Sequence, residues 1–195
     1  MAAFVDVVLL ITRTLVSLYV LALLLRLLLQ VARADFYNPI SQALVRVTNP
    51  LLRPLQRAMP RLAGIDLAAL SLAVALQAAG LALIISLLNH PLPSVVTLLL
   101  WSLLGVAGMV LNLYFFAVLA AIVLSWVAPG SHHPAVLLLH QLVQPVMAPF
   151  RRLLPPLGGL DLSPILVFLA INVVQVLLRH GAMAVNLPAG LMMGI

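Results

Sequence analysis

The sequence contains no cysteine, no lysine and no glutamate, and its only acidic residues are Asp6, Asp35, Asp66 and Asp161. Without cysteine there is no disulfide, no thiol redox chemistry and no Cys-based metal or covalent haem site. Charged residues make up 7% of the chain, against about 25% in a soluble domain. Such a chain cannot cover its surface with water-compatible groups. It also lacks a phosphate-cradling loop, a His-Glu-x-x-His pattern and any Ser–His–Asp set recognisable by spacing. His132, His133 and His140 lie close together, but no carboxylate or cysteine supports them as metal ligands. The expectation is a protein that is not an enzyme and carries no cofactor.

What is present is apolar. Hydrophobic residues make up 65% of 195 residues, and mean hydropathy is +1.24. That length supplies roughly four membrane spans of about 20 residues with their connections. The apolar runs predict spans at about 4–31, 67–88, 96–127 and 163–179. Residues 1–3 form a minimal tail without an early positive cluster, and the first run is too long for the core of a signal peptide. It is read as a retained transmembrane helix.

The most polar stretch starts at Asn49-Pro50-Leu51-Leu52-Arg53-Pro54 and continues through Arg57, Pro60 and Gly64 to Asp66-Leu67. It occurs twice. Moving 95 positions on, Pro145, Pro149, Arg152, Pro155, Leu157, Gly159, Asp161 and Leu162 repeat Pro50, Pro54, Arg57, Pro60, Leu62, Gly64, Asp66 and Leu67 without a gap. Recurrence at proline, glycine and charged positions marks an internal duplication, here residues 1–93 and 94–195. Tyr19 and Tyr114, Pro39 and Pro134, and Gln77 and Asn172 extend it. The expected fold is all-α: a polytopic membrane protein of four transmembrane helices in two repeats of the same orientation, each with an interfacial amphipathic connection. In the first connection Ile40, Ala43, Leu44 and Val47 share a helical face, with Ser41, Gln42 and Arg46 off it. Pro50, Pro54 and Pro60 are expected to stop a long helix there, and Pro145 and Pro149 stand at the equivalent places.

All ten basic residues are arginine, and the formal net charge is +6. Their placement beside apolar spans points to anionic headgroups and to topology control rather than to nucleic acid. Arg33, Arg46, Arg53, Arg57, Arg61, Arg151 and Arg152 fall in the two motif connections, with Arg179 and Arg13 toward the other face. The positive-inside rule then places both motif connections in the cytoplasm and both termini outside. Arg53, Arg57, Arg151 and Arg152 are the candidates for contact with lipid or a partner. Asp66 and Asp161 each follow a glycine turn at Gly64 or Gly159 and open a span, so helix capping is their expected work. Arg57 and Arg152 lie within reach of them. Arg26 sits near the basic end of its span and is expected to snorkel to the interface. Arg13 lies deeper, and Arg13, Gln77 and Asn172 are the intramembrane polar residues. They serve helix–helix hydrogen bonding or, alternatively, a polar pathway used with Asn112.

Arg33-Ala34-Asp35-Phe36-Tyr37-Asn38-Pro39, Thr48-Asn49-Pro50-Leu51-Leu52-Arg53-Pro54, Arg151-Arg152-Leu153-Leu154-Pro155-Pro156 and Gly158-Gly159-Leu160-Asp161-Leu162-Ser163-Pro164 resemble the YggT family, in its two-repeat bacterial form. The first copy departs from the Gly-Gly-x-Asp-x-Ser-Pro form, reading Ala63-Gly64-Ile65-Asp66-Leu67-Ala68-Ala69. The resemblance implies an integral protein of the bacterial inner membrane. It also implies one of several roles: osmotic-stress tolerance, organisation of division or the nucleoid, or assembly of a membrane haem protein. The functional expectation is an inner-membrane scaffold or assembly and stress-tolerance factor presenting two Arg–Pro motifs at the cytoplasmic surface. The alternative is a small channel or transport component in osmotic ion homeostasis. Expected partners are anionic lipids, a membrane or cytoplasmic protein, and a second copy of the chain.

Overall fold

The computed structural model describes residues 2–62, 64–154 and 161–188. The motif positions Pro155 and Gly159 lie outside the described residues. Among the described residues six helices form the architecture: α1 (Ala2–Val31), α2 (Pro39–Ala58), α3 (Leu67–Leu87), α4 (Val95–Val127), α5 (Pro134–Leu153) and α6 (Ser163–Ala184). Four of them, α1, α3, α4 and α6, are long and apolar enough to cross a membrane. The fold is therefore all-α, with one small addition. Arg61–Leu62 (β1) pairs antiparallel with Ile65–Asp66 (β2) just before α3. Gly64 supplies a φ of +84° in that turn, a region that costs other residues steric strain.

The connections differ from their sequence reading in one respect. Pro50 and Pro54 lie inside α2, and Pro145 and Pro149 inside α5, each helix running 20 residues unbroken. An internal proline removes one backbone bond to the residue four before it. Here the prolines and the residues four positions back (Arg46 and Pro50 in α2, Gln141 and Pro145 in α5) are all exposed. The released carbonyls are thus not buried, and the opposite face of each helix holds it against the spans. Both helices begin alike. Asn38 and His133, related by the duplication, each accept a hydrogen bond from the backbone two residues on, and Pro39 and Pro134 take the first helical positions.

The span limits agree with the hydropathy reading except at the end. Helix α6 continues past Arg179 to Ala184, because Arg179 and His180 are exposed and need not leave the helix. Helix α3 is lined with small residues. Ala68, Ala69, Ala73, Ala78 and Gly80 are buried, which permits close helix approach. A Cβ placed on Gly80 would lie 3.0 Å from Cγ1 of Val16.

Three apolar clusters hold the chain together. One joins α1, α2 and α3 through Val20, Leu23, Leu24, Leu52 and Ala73, and takes in Met109 of α4. The second joins α4, α5 and α6 through Val118, Leu142, Met147, Val167 and Ile171, and draws in Leu29 and Ala34 of the first repeat. The third lies at the other end of the spans, among Leu9, Leu81, Ile84, Trp101 and Ala182. Across the repeats, Asp35 N–H donates to Gln141 Oε1 (2.9 Å) and Asn38 Nδ2 to Pro134 O (2.7 Å). These bonds set α2 and α5 side by side at one end of the spans.

Candidate functional site

Helix α2 has three faces. Ser41, Thr48 and Leu52 are buried against the spans. Ala43, Val47 and Leu51 are apolar and exposed, and Arg46, Arg53 and Arg57 are exposed on another side. The spacing explains the split, because positions seven and eleven apart return to one side of a 3.6-residue helix. The buried stripe thus runs through Ser41 and Thr48 rather than along the expected face, where Ala43 and Val47 are exposed. The polar residues bury because each makes a bond: Ser41 Oγ donates to Asp35 O (2.9 Å) and Thr48 Oγ1 to Leu44 O (2.6 Å). An arginine stripe beside an exposed apolar stripe is the geometry of a helix lying in the headgroup layer.

The four candidate arginines divide on this geometry. Arg53 and Arg57 share their stripe with Arg46, whose seven-residue spacing from Arg53 is the signal that finds it. In α5, Arg152 corresponds to Arg57, while Gln141 and Ala148 take the places of Arg46 and Arg53. Arg151 corresponds to Gln56 and turns toward the spans instead.

The two motif aspartates each meet a partner ten residues upstream, not nine. Gln56 Nε2 donates to Asp66 Oδ2, and Arg151 Nε lies 3.0 Å from Asp161 Oδ2. Asp66 also caps α3, its Oδ1 accepting from Ala69 N–H at 3.2 Å, and it is buried at 2% exposure. Asp161 is exposed. It accepts from the backbone N–H of Ser163 (2.9 Å) and from the Ser163 hydroxyl, although the N-cap position of α6 itself is Leu162. Burial pulls the Asp161 carboxyl upward, but the two bonds from Ser163 and the Arg151 guanidinium outweigh it and hold it below its ordinary value.

Arg26 does not snorkel. It is buried, and its Nη1 donates to Thr48 Oγ1 (2.6 Å) and Asn49 Oδ1 (2.9 Å). A charge-assisted pair of bonds thus fastens α2 to α1 from the inside, next to Tyr19, whose hydroxyl donates to Val47 O (3.3 Å).

In the second repeat the corresponding region is an open cavity of about 630 Å³. Val118, Val143, Met147 and Phe168 line its apolar part, and Ser125, His140, Arg151 and Asp161 contribute polar groups.

The remaining polar residues are dispersed. Arg13 lines, with Ile85, Leu88, His90, Trp101 and Pro188, a cavity of about 530 Å³ at the end of the spans away from α2 and α5. Ile85 and Leu88, which share this cavity with it, belong to the end of α3. Gln77 is fully buried. Asn172, its counterpart, is exposed and donates to Phe168 O in its own helix (2.7 Å). One bond between spans is a pairing that the sequence did not indicate: Gln175 Nε2 donates to Asn112 Oδ1 at 2.8 Å, joining α6 to α4. Among the described residues no group of His, Asp or Glu could hold a metal ion, and His133 serves as a helix cap.

A sequence profile described as CCB3/YggT matches residues 5–88 and 100–182. "Uncharacterized protein PA0392" of Pseudomonas aeruginosa is 47% identical over 177 residues, covering 90% of each chain. "Uncharacterized protein YggT" of Escherichia coli K12 is 38% identical over 162 residues, 83% of this chain and 84% of that one. A shorter match, 45% identical over 62 residues, is to "YlmG homolog protein 2, chloroplastic" of Arabidopsis thaliana, covering 32% of this chain and 24% of that one. No solved structure matches the chain.

Proposed function

The chain belongs to the CCB3/YggT family, and on that premise we infer that it is a non-enzymatic scaffold or assembly factor of the bacterial inner membrane, active under envelope or osmotic stress. It presents α2 and α5 at the cytoplasmic surface to anionic headgroups and to a partner that shares that surface. The observation that carries this reading is the exposed stripe of Arg46, Arg53 and Arg57 on α2, with Arg152 on the adjoining α5. Each arginine near an anionic leaflet contributes about 1 kcal/mol of attraction. Because both helices are packed into the fold along their inner faces, little ordering is lost when this surface is covered. The excess of arginine at this end supports a cytoplasmic orientation with both termini outside.

The transport reading draws less support. Asn112 is bonded across to Gln175, and Asn172 to its own helix backbone.

The test is to replace Arg46, Arg53, Arg57 and Arg152 together by Gln in cells lacking the native gene. Growth at high osmolarity is then followed, and a photocrosslinker at Gln42 reports what is captured. The expected outcome is normal membrane insertion with loss of both tolerance and crosslinked partner. Full tolerance with the four charges removed overturns the reading.

A further inference from the structure

The two repeats are not filled equally. In the first, the space enclosed by α1, α2 and α3 at the motif end is closed. Leu23 and Leu52 are fully buried there, Arg26 reaches from α1 to Thr48 and Asn49 of α2, and Gln56 bonds to the buried Asp66. The corresponding residues of the second repeat are Val118, Met147, Ala121, Arg151 and Asp161, with Val143 in place of Thr48. A methyl group stands where the first repeat has a guanidinium, and the hydroxyl that received it is gone. The result is the 630 Å³ cavity, with Asp161 exposed at its edge.

The cavity is graded in polarity. Val118, Val143, Met147 and Phe168 are apolar, whereas Ser125 near the end of α4, Arg151 near the end of α5 and Asp161 just before α6 are polar, with His140 on α5. Trp126, 78% exposed at the same level, is a residue type that settles at the membrane–water boundary. An occupant therefore needs an apolar chain and a head bearing both signs of charge. We propose that this cavity binds a phospholipid with an aminoethyl phosphate head. One acyl chain enters the apolar part, the phosphate faces Arg151, and the primary ammonium donates to Asp161. A wholly anionic head would compete with Asp161 for the Arg151 guanidinium and offer that carboxylate no donor in return, and a trimethylammonium head has no N–H to donate. The proposal stands apart from the Arg46–Arg53–Arg57 stripe, which lies on the far side of α2.

The experiment uses the full chain, purified in mild detergent and exposed to equal amounts of phosphatidylethanolamine, phosphatidylcholine and phosphatidylglycerol, with retained lipid measured by mass spectrometry. Phosphatidylethanolamine is expected to be preferred about tenfold, the ratio that one charge-assisted hydrogen bond of about 1.4 kcal/mol supplies. Ala121→Phe, which fills the cavity, should remove the retained lipid while elution and the thermal transition stay normal. If Ala121→Phe does not fold, Asp161→Asn decides: it should bring the ethanolamine-to-choline ratio close to one. Replacing Arg46, Arg53 and Arg57 by Gln should leave that ratio unchanged.

Equal retention of the three lipids, preference for phosphatidylglycerol, or an unchanged ratio in Asp161→Asn overturns the proposal. So does undiminished retention in folded Ala121→Phe, or a photocrosslinker at Ala121 that captures protein instead of lipid. Loss of retention only in the Arg46, Arg53 and Arg57 variant would assign the lipid to the α2 surface, leaving the surface reading intact and this one refuted.

Discussion

Arg151 and Asp161 form an ion pair, Nε to Oδ2 at 3.0 Å, on the exposed rim of the second repeat. The same place in the first repeat holds a neutral version of the contact, Gln56 with a buried Asp66. One duplicated sequence has thus produced a sealed half and an open half. The difference traces to a few side chains at the ends of the spans.

The open pair gives a pH dependence. The Asp161 carboxyl lies below its ordinary value in the folded chain, since the Ser163 bonds and Arg151 outweigh burial. A depressed carboxylate stabilises the fold fully above its unfolded value, near 3.9, and that contribution is lost as pH falls through the lower folded value. Thermal unfolding in detergent should show Asp161→Asn less stable than the parent near neutrality, with the gap closing on acidification. A gap that widens toward low pH would contradict the assignment.

Thr48→Val keeps the shape of a buried side chain but removes an acceptor from Arg26. Loss of a bond to a buried charged group should cost about 1–3 kcal/mol, read from unfolding in mixed micelles. The reciprocal change in the other repeat, Val143→Thr, should stay within about 1 kcal/mol, since its hydroxyl can return to the carbonyl four residues back. Equal effects at the two sites would refute the division into closed and open halves.

At Gly80, α3 packs so closely on α1 that an added Cβ would lie 3.0 Å from Val16 Cγ1. Gly80→Leu should destabilise by about 1–3 kcal/mol through overpacking against Val16. Val16→Ala in the same chain should recover part of that loss, giving a coupling energy in a double-mutant cycle. Strict additivity would place the strain elsewhere.

Asn112 and Gln175 allow a test of one polar pair between spans. A hydrogen bond between helices in a membrane averages about 0.6 kcal/mol, so Gln175→Leu should lower stability only slightly and leave proteoliposome ion permeability unchanged. A conductance abolished by that substitution would revive the transport reading.

How far the sequence reaches depends on the feature. Long apolar runs and the Asp66 cap follow from local composition, and both were legible. So was the duplication, since prolines and glycines recurring in register need no structure to be seen. The extent of α2 was not legible, because whether Pro50 breaks a helix depends on what holds the opposite face, and Thr48 and Leu52 do so through Arg26 and the first core. Sequence spacing puts Arg57 and Arg152 within reach of the aspartates, each one residue from the partner actually met, Gln56 or Arg151. Successive residues on a helix point about 100° apart, and only packing shows which of them turns inward. That Arg13 shares a cavity with the end of α3 is likewise visible only in the packing of the helices.

The sequence by itself determined that this protein lives in a membrane, crosses it with four helices, and repeats one two-span unit carrying arginines at one end. Those properties are sums over many residues, and no single contact alters them. Only the tertiary structure decided that the arginines are unlike one another. Arg26 is consumed inside the fold, Arg151 is paired at a cavity, and Arg46, Arg53, Arg57 and Arg152 remain exposed on the surface helices. The reason is geometric: the sign of a charge is local, but its availability depends on which face of each helix the neighbouring spans cover.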